Sequence, residues 1–199
     1  MGHPAFDNSD FLGAALAVAA EHGPSAVTVA AISARLKAPT GSFYHRFASR
    51  DALLAELWFN TVLAFQEGIA AALDAGDGLK AALHTPAWVR GHLDEGRLLL
   101  LYHRDDFVHG DWPRALRDAL SDQGRRGEAR LRKFTRATFG RAGPGEIRRA
   151  QFVLSEVPVA AVRQHLMRRE PPPKIVDDLI RATWHAVIDG YRADRRTST

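Results

Sequence analysis

Cysteine is absent from this chain of 199 residues. That excludes disulfides, thiolate metal sites and a cysteine nucleophile. Membrane-length apolar runs are missing too: the leucine run covers only Leu98–Leu101, far short of the ~20 residues that a helical bilayer span needs. The opening residues MGHPAFDNSD have neither the basic start nor the apolar stretch of a signal peptide, so a cytoplasmic location is expected. Glycine and proline number 16 and 10, too few for a collagen-like or low-complexity chain. No HExxH, glycine-rich phosphate loop or nucleophile elbow occurs, so neither catalytic residues nor a cofactor is expected.

What is present is an ordinary globular composition, 46% hydrophobic and 25% charged, in a length that fills one or two domains around a real core. The formal net charge is +4, but its placement is more informative than its size. Residues 1–75 hold seven acids against four bases, and all four bases (Arg35, Lys37, Arg46, Arg50) fall within 28–50, where there is no acid. A small basic patch thus sits inside an acidic segment. Arginine outnumbers lysine, which suits phosphate contact but equally reflects composition habit.

Nearly every long segment has helical period, and no alternating strand is visible. The expected fold is all-α with about nine helices. Asn8 or Ser9 caps the first, and Gly23-Pro24 ends it. Thr28 caps a short second helix with Ile32 and Leu36 inward. Lys37-Ala38-Pro39 interrupts before a very short third helix that ends near Phe47. Ser49 caps a long fourth helix. Shorter helices follow around 79–92 and 94–104, with Pro86 breaking the first of them. Further helices are expected from Trp112-Pro113 to about Phe139, from about 146 to 168 with a kink at Pro158, and, after Pro171–Pro173, over 174–193.

Two short helices joined by a turn of three or four residues suggest a helix-turn-helix. Ile32, Leu36, Phe43 and Phe47 point inward, which leaves Thr40, Ser42, Tyr44 and His45 outward on the third helix with Arg46 beside them. Such groups reach base edges and phosphates in a major groove. Gly41 permits close backbone approach, and Thr28 places a hydroxyl and free amides at a helix N-terminus, a ready phosphate site. The segment TVAAISARLKAPTGSFYHRFASRDALLAELW, residues 28–58, closely resembles the DNA-binding domain of TetR/AcrR-type transcriptional regulators. The resemblance lies in the Thr-Val opening, the Ile32/Leu36 spacing, Gly41, Tyr44-His45, Phe47 and the Ser49-Arg50-Asp51 start with Leu53-Leu54. It extends to about residues 9–60.

The resemblance implies a homodimer that sets its third helices into the halves of a palindromic operator on double-stranded DNA. Thr28, Tyr44 and Arg50 would hold phosphates, and Thr40, Ser42 and His45 would read bases. Lys37 and Gly41 complete the expected interface. Lys37 stands at the family's turn glycine, so a left-handed backbone is expected there. The implied organisation is a DNA-binding domain over 1–50 and an effector-binding and dimerisation domain over 51–199. The dimer seam is expected on Leu179, Ala182, Ala186 and Gly190 of the last helix and on Val153, Val157, Ala161 and Gln164 of the preceding one. A small-molecule effector is expected among Phe65, Trp88, His92, Tyr102, His103, Phe107, Phe134 and Phe152.

The string from His103 to Asp111 supports a second reading, an enzyme or metal-binding helical protein. His103, Asp106 and His109 offer three ligands, but their spacing drifts around a helix and no fourth is obvious. His103-Arg104-Asp105 lacks the other parts of a kinase site. The arginine-rich run from Arg125 to Arg136 reads as a solvated helix face.

Overall fold

The computed structural model describes residues 6–107 and 112–197. Among them every regular element is helical: α1 (Asn8–His22), α2 (Val29–Leu36), α3 (Thr40–Tyr44), α4 (Arg50–Asp74), α5 (Gly78–Gly91), α6 (Leu93–Leu101), α7 (Arg114–Phe139), α8 (Pro144–Gln151), α9 (Val157–Arg168) and α10 (Ile175–Thr197). A π turn over Phe152–Glu156 joins α8 to α9, so these two and the turn form one rod and the helices number nine on that count.

The chain packs as two compact units: Met1–Val62 with Asp94–Leu120, and Leu63–Leu93 with Ser121–Thr199. By packing, the division therefore falls inside α4, whereas the sequence reading divides at residue 50. In the first unit α1 is held by a capping box. The Asp7 carboxylate accepts from the Asp10 N–H, and the Asp10 carboxylate accepts from the Asp7 N–H. The expected cap at Asn8 or Ser9 is thereby corrected: the Ser9 hydroxyl donates to Asp7 instead. The Ser9 hydroxyl, followed by the Asp10 and Ser9 amides, holds the Asp7 carboxyl below its ordinary range. At the other end of α1, the buried Arg97 of α6 donates to the Ala20 carbonyl, satisfying an acceptor that the helix end leaves open.

Phe11, Val27, Ile32, Phe43, Phe47, Leu53 and Leu54 form the centre of the first core. The second unit is built around α5, α9 and α10, with Val89, Val162, Leu166, Ile180 and Ile188 buried. Arg90 ties the polyproline connector down, donating to the carbonyls of Pro172 and Pro173 and pairing with Asp177 at 2.6 Å.

Two proline expectations change. Pro86 does not break α5, which runs through it. The lost helical hydrogen bond costs about 3 kcal/mol, but Ala81, Ala82, Thr85, Pro86, Trp88 and Val89 are all buried, and that burial offsets it. Pro158 lies in the first turn of α9, just after the π turn; the wider turn absorbs the irregularity expected as a kink. The sixth helix ends at Leu101, not at residue 104.

Lys37 closes α2 in the left-handed conformation, at φ 54° and ψ 36°. Its amide still donates to the last turn of α2, and the Ala38 amide reaches the Ser33 carbonyl. The αL geometry comes at a cost to a residue with a Cβ. Lys37→Gly is accordingly expected to raise the unfolding free energy by up to about 1 kcal/mol, and Lys37→Val to lower it. Urea titration followed by helical circular dichroism measures both.

Candidate nucleic-acid interface and ligand cleft

The helix-turn-helix is assembled from inside. Phe11 meets Phe43 and Phe47 edge-on at 5.9 and 6.3 Å between ring centres, and Phe43 lies 5.6 Å from Phe47. With Phe43 buried, the rest of α3 is turned outward. Thr40, Gly41, Tyr44 and His45 are exposed and Ser42 is half-exposed. Tyr44 is 61% exposed, unusual for so large a ring in a monomeric surface; its inner edge rests on Phe43 at 5.3 Å. Thr28 is exposed and caps α2 by accepting from the Ala31 N–H at 3.0 Å. Its hydroxyl hydrogen is left to donate. Lys37 and Arg46 are exposed on the same segment.

Two cations of the basic window are otherwise engaged. Arg35 forms a two-pronged pair with Glu21 across α1 and α2 at 2.7 and 2.8 Å. Arg50 turns inward: its guanidinium donates to the Val27 and Pro24 carbonyls and to Asp51. The expectation that Arg50 holds a phosphate is corrected on that geometry. Its Nε and one Nη donate to the Val27 and Pro24 carbonyls, the second of which also accepts from the Val27 N–H, so Arg50 fixes the start of α4 against the turn between α1 and α2.

The expected effector residues do not gather in one place. Phe107 is fully buried and Tyr102 is packed against the same core, both in the first unit. Tyr102 lies 6.1 Å from Phe107, and its hydroxyl faces Gly23, where the backbone takes φ 87°. His103 is exposed and its N–H donates to Asp106, closing a single turn of 3-10 helix. Phe134 is buried against Trp184 at 6.0 Å. Phe152 is on the outer surface of the second unit, beside Arg148 and Arg149. For Tyr102, Phe107 and Phe134 the physical reason is the same: an aromatic ring buries a large area and goes where it fills space.

Phe65, Trp88 and His92 do come together. Phe65 meets Trp88 edge-on at 5.0 Å, and His92 stacks on Trp88 at 4.9 Å. His84 joins them, donating from Nε2 to the Phe65 carbonyl at 2.8 Å. Burial pushes the His84 imidazole below its ordinary range, against the carbonyl that favours the charged ring. It is therefore neutral at neutral pH.

Phe65 is also one wall of a cleft of about 340 Å3 in the second unit, lined by α4, α7, α8 and the π turn. Ile69, Leu73, Leu131 and Leu154 give it apolar sides, and Gln66, Gln123, Gln151 and Ser155 supply polar groups. Gly124 and Gly127 expose α7 backbone to it, and Glu128 and Arg130 complete the lining. None of these except Phe65 follows from an aromatic-seeking reading. Two glycines three apart inside a long helix are the signal in the sequence that could have found it, because each costs about 1 kcal/mol relative to alanine.

Among the described residues no group of three His, Asp or Glu side chains is gathered to hold a metal ion. His109 and Asp111 of the second reading lie outside the described residues. No helix among the described residues is long and apolar enough to cross a membrane.

Residues 11–57 match the family model for bacterial regulatory proteins of the tetR family. No curated protein matches the chain significantly. The matched span covers α1 to α3 and the first turns of α4, the same elements that set the outward face of α3.

Two expectations follow. Arg50→Met removes the donor to the Val27 carbonyl and the second donor to the Pro24 carbonyl and should lower the unfolding free energy by about 1–3 kcal/mol, while the salt dependence of DNA affinity stays as it was. Lys37→Gln should do the reverse, leaving stability nearly unchanged and reducing the slope of log affinity against log salt by about 1. Urea titration and DNA binding at several salt concentrations separate the two. For His84, the unfolded ring takes its proton near the ordinary 6.5, before the folded ring does. Stability is therefore complete above that pH and falls as the pH drops through it. His84→Gln should flatten this part of the pH–stability curve.

Proposed function

We propose that the chain, whose residues 11–57 match the tetR family of bacterial regulatory proteins, is a DNA-binding transcriptional regulator that acts as a homodimeric repressor released from a palindromic operator by a small-molecule effector. One observation carries the DNA-reading part: α3 presents Thr40, Gly41, Ser42, Tyr44 and His45 outward while Phe43 locks its inner side. A helix so displayed, beside exposed Lys37 and Arg46 and with Glu21 already paired to Arg35, suits the major groove. Tyr44 and Thr28 reach phosphates, and Thr40, Ser42 and His45 meet base edges.

The dimer reading is supported by the outer face of α10. Leu179, Ala182, Ala186 and Gly190 are all exposed, with Leu179 at 59%. A Cβ at Gly190 would meet nothing. Beside Ala186 and Gly190 runs a trough of about 410 Å3 floored by Phe152 and Val187, of a size to accept side chains of a second copy. On the preceding rod, Gln164 is exposed and Val157 and Ala161 are half-buried. Val153 is corrected: it is buried at 1% in its own unit, because the π turn rotates it inward. A two-fold arrangement repeats α3 at a spacing set by the half-sites, one helical turn of about 34 Å or a multiple.

For the effector, the cleft walled by Phe65 supports the reading, since it joins apolar sides to a few polar groups. Occupancy favours one arrangement of the dimer over another, and release follows from that difference in affinity.

Selection of bound fragments from random DNA at near-physiological salt tests the reading. A two-fold-symmetric sequence is expected, bound by two chains. Tyr44→Phe should weaken binding to every sequence alike, and Thr40→Ala should change the preferred bases. Binding that stays sequence-blind at every salt concentration would overturn the proposal.

A further inference from the structure

The cleft of the second unit carries a definite ligand chemistry. Its two charged lining residues are both neutralised by protein. Glu128 accepts from Arg132 at 3.0 Å, and Arg130 donates to Asp74 at 3.0 Å. Each charge thus has an oppositely charged partner within the protein, Arg130 through its Nε. The remaining polar groups are uncharged, and their roles are fixed by their neighbours. Arg126 has only donors and gives them to Gln123 Oε1. The Gln123 Nε2 must then face Gln66, donating to Gln66 Oε1 at 2.9 Å. This leaves the Gln66 amide nitrogen with two donors and, among the described residues, no acceptor for them. The side chains of Gln151 and Ser155 have no partner there either.

The floor is as informative as the walls. Gly124 and Gly127 are helix-interior glycines, and a Cβ added at either would meet nothing within 4 Å. No packing within the chain accounts for them. Both are exposed where they line the cleft, and they leave open the space that side chains would take up.

Resting on the reading of this cleft as the effector site, we infer that its ligand is an uncharged, largely apolar small molecule that carries a carbonyl-type acceptor. The apolar body lies between Phe65 and the glycine floor, and the acceptor takes the Gln66 amide hydrogens. An ionised group would enter without a counter-ion, and burying it unpaired is costly. Gly124 and Gly127 set the depth of the site and hence which ligands fit.

The test uses the full chain and three fluorescent probes. They are prodan, an uncharged naphthyl ketone; anilinonaphthalene sulfonate, an anion; and N-methylacridinium, a cation. Prodan should bind saturably and at least about tenfold more tightly than either ion. Gly127→Leu should weaken it by about tenfold or more by filling the floor, while DNA affinity and helical dichroism remain at the parental values. Gly124→Met makes the same test from the other glycine should Gly127→Leu lose helix content. Gln66→Leu should weaken prodan several-fold and shift its emission to the blue, as expected when a donor to the ketone is lost. Equal or tighter binding of either ion overturns the inference. So does prodan binding that ignores both glycine substitutions. The DNA experiment stands apart: prodan bound as described without any effect on DNA affinity upholds the ligand class and overturns the release mechanism. Apo protein that binds no DNA overturns the regulator reading alone.

Discussion

The anchoring of a five-residue helix governs the DNA-binding unit. Thr40–Tyr44 is too short to stand alone, because helix nucleation fixes several residues for a single hydrogen bond. Its N-cap is Pro39, which makes no side-chain cap. What holds it is Phe43, driven into the rings of Phe11 and Phe47. Every outward residue on α3 owes its direction to that one buried ring. The same packing seats the edge of the exposed Tyr44 ring on Phe43.

Around this anchor the charges divide by task. The sequence shows four bases in a window with no acid, but the structure does not spend them alike. Arg35 is paired with Glu21 from α1, and Arg50 satisfies carbonyls of the turn before α2. Lys37 and Arg46 remain on the surface. The positive field on this surface is thus smaller than the count suggests; it comes from Lys37 and from Arg46, whose guanidinium also touches the Asn8 side chain at 3.5 Å and lies near Asp7.

Much of the first unit was legible in the residues. Thr28 and Ser49 cap as their chemistry directs, the Ile32, Phe43 and Phe47 spacing marks the buried side, and Lys37 takes the αL geometry that its place in the turn demands. What stayed hidden depends on partners distant in sequence. Nothing near Arg50 in the chain announces that its guanidinium would turn to the Pro24 and Val27 carbonyls, since that arrangement exists only once the turn has folded. Pro86 and Pro158 mislead for a similar reason. A proline reports the local loss of one hydrogen bond, but whether the helix breaks, widens or continues is decided by what packs around it.

The effector residues show a deeper limit of reading from side chains. Large rings are the obvious guess for a binding site, yet a ring is a means of filling space, and most of those in this chain do so: Phe107, Phe134 and Trp112 are buried. A cleft exists where filling is withheld. Here it is walled by one ring that is backed by Trp88 and His84. It is bridged by a glutamine pair, and its floor is two glycines that pack on nothing. In a sequence such residues read as neutral helix surface. Their meaning comes from a conflict between levels, a helix that accepts the cost of glycine twice without gaining a close contact in return. In this fold that unrepaid local cost points to the site better than any aromatic residue does.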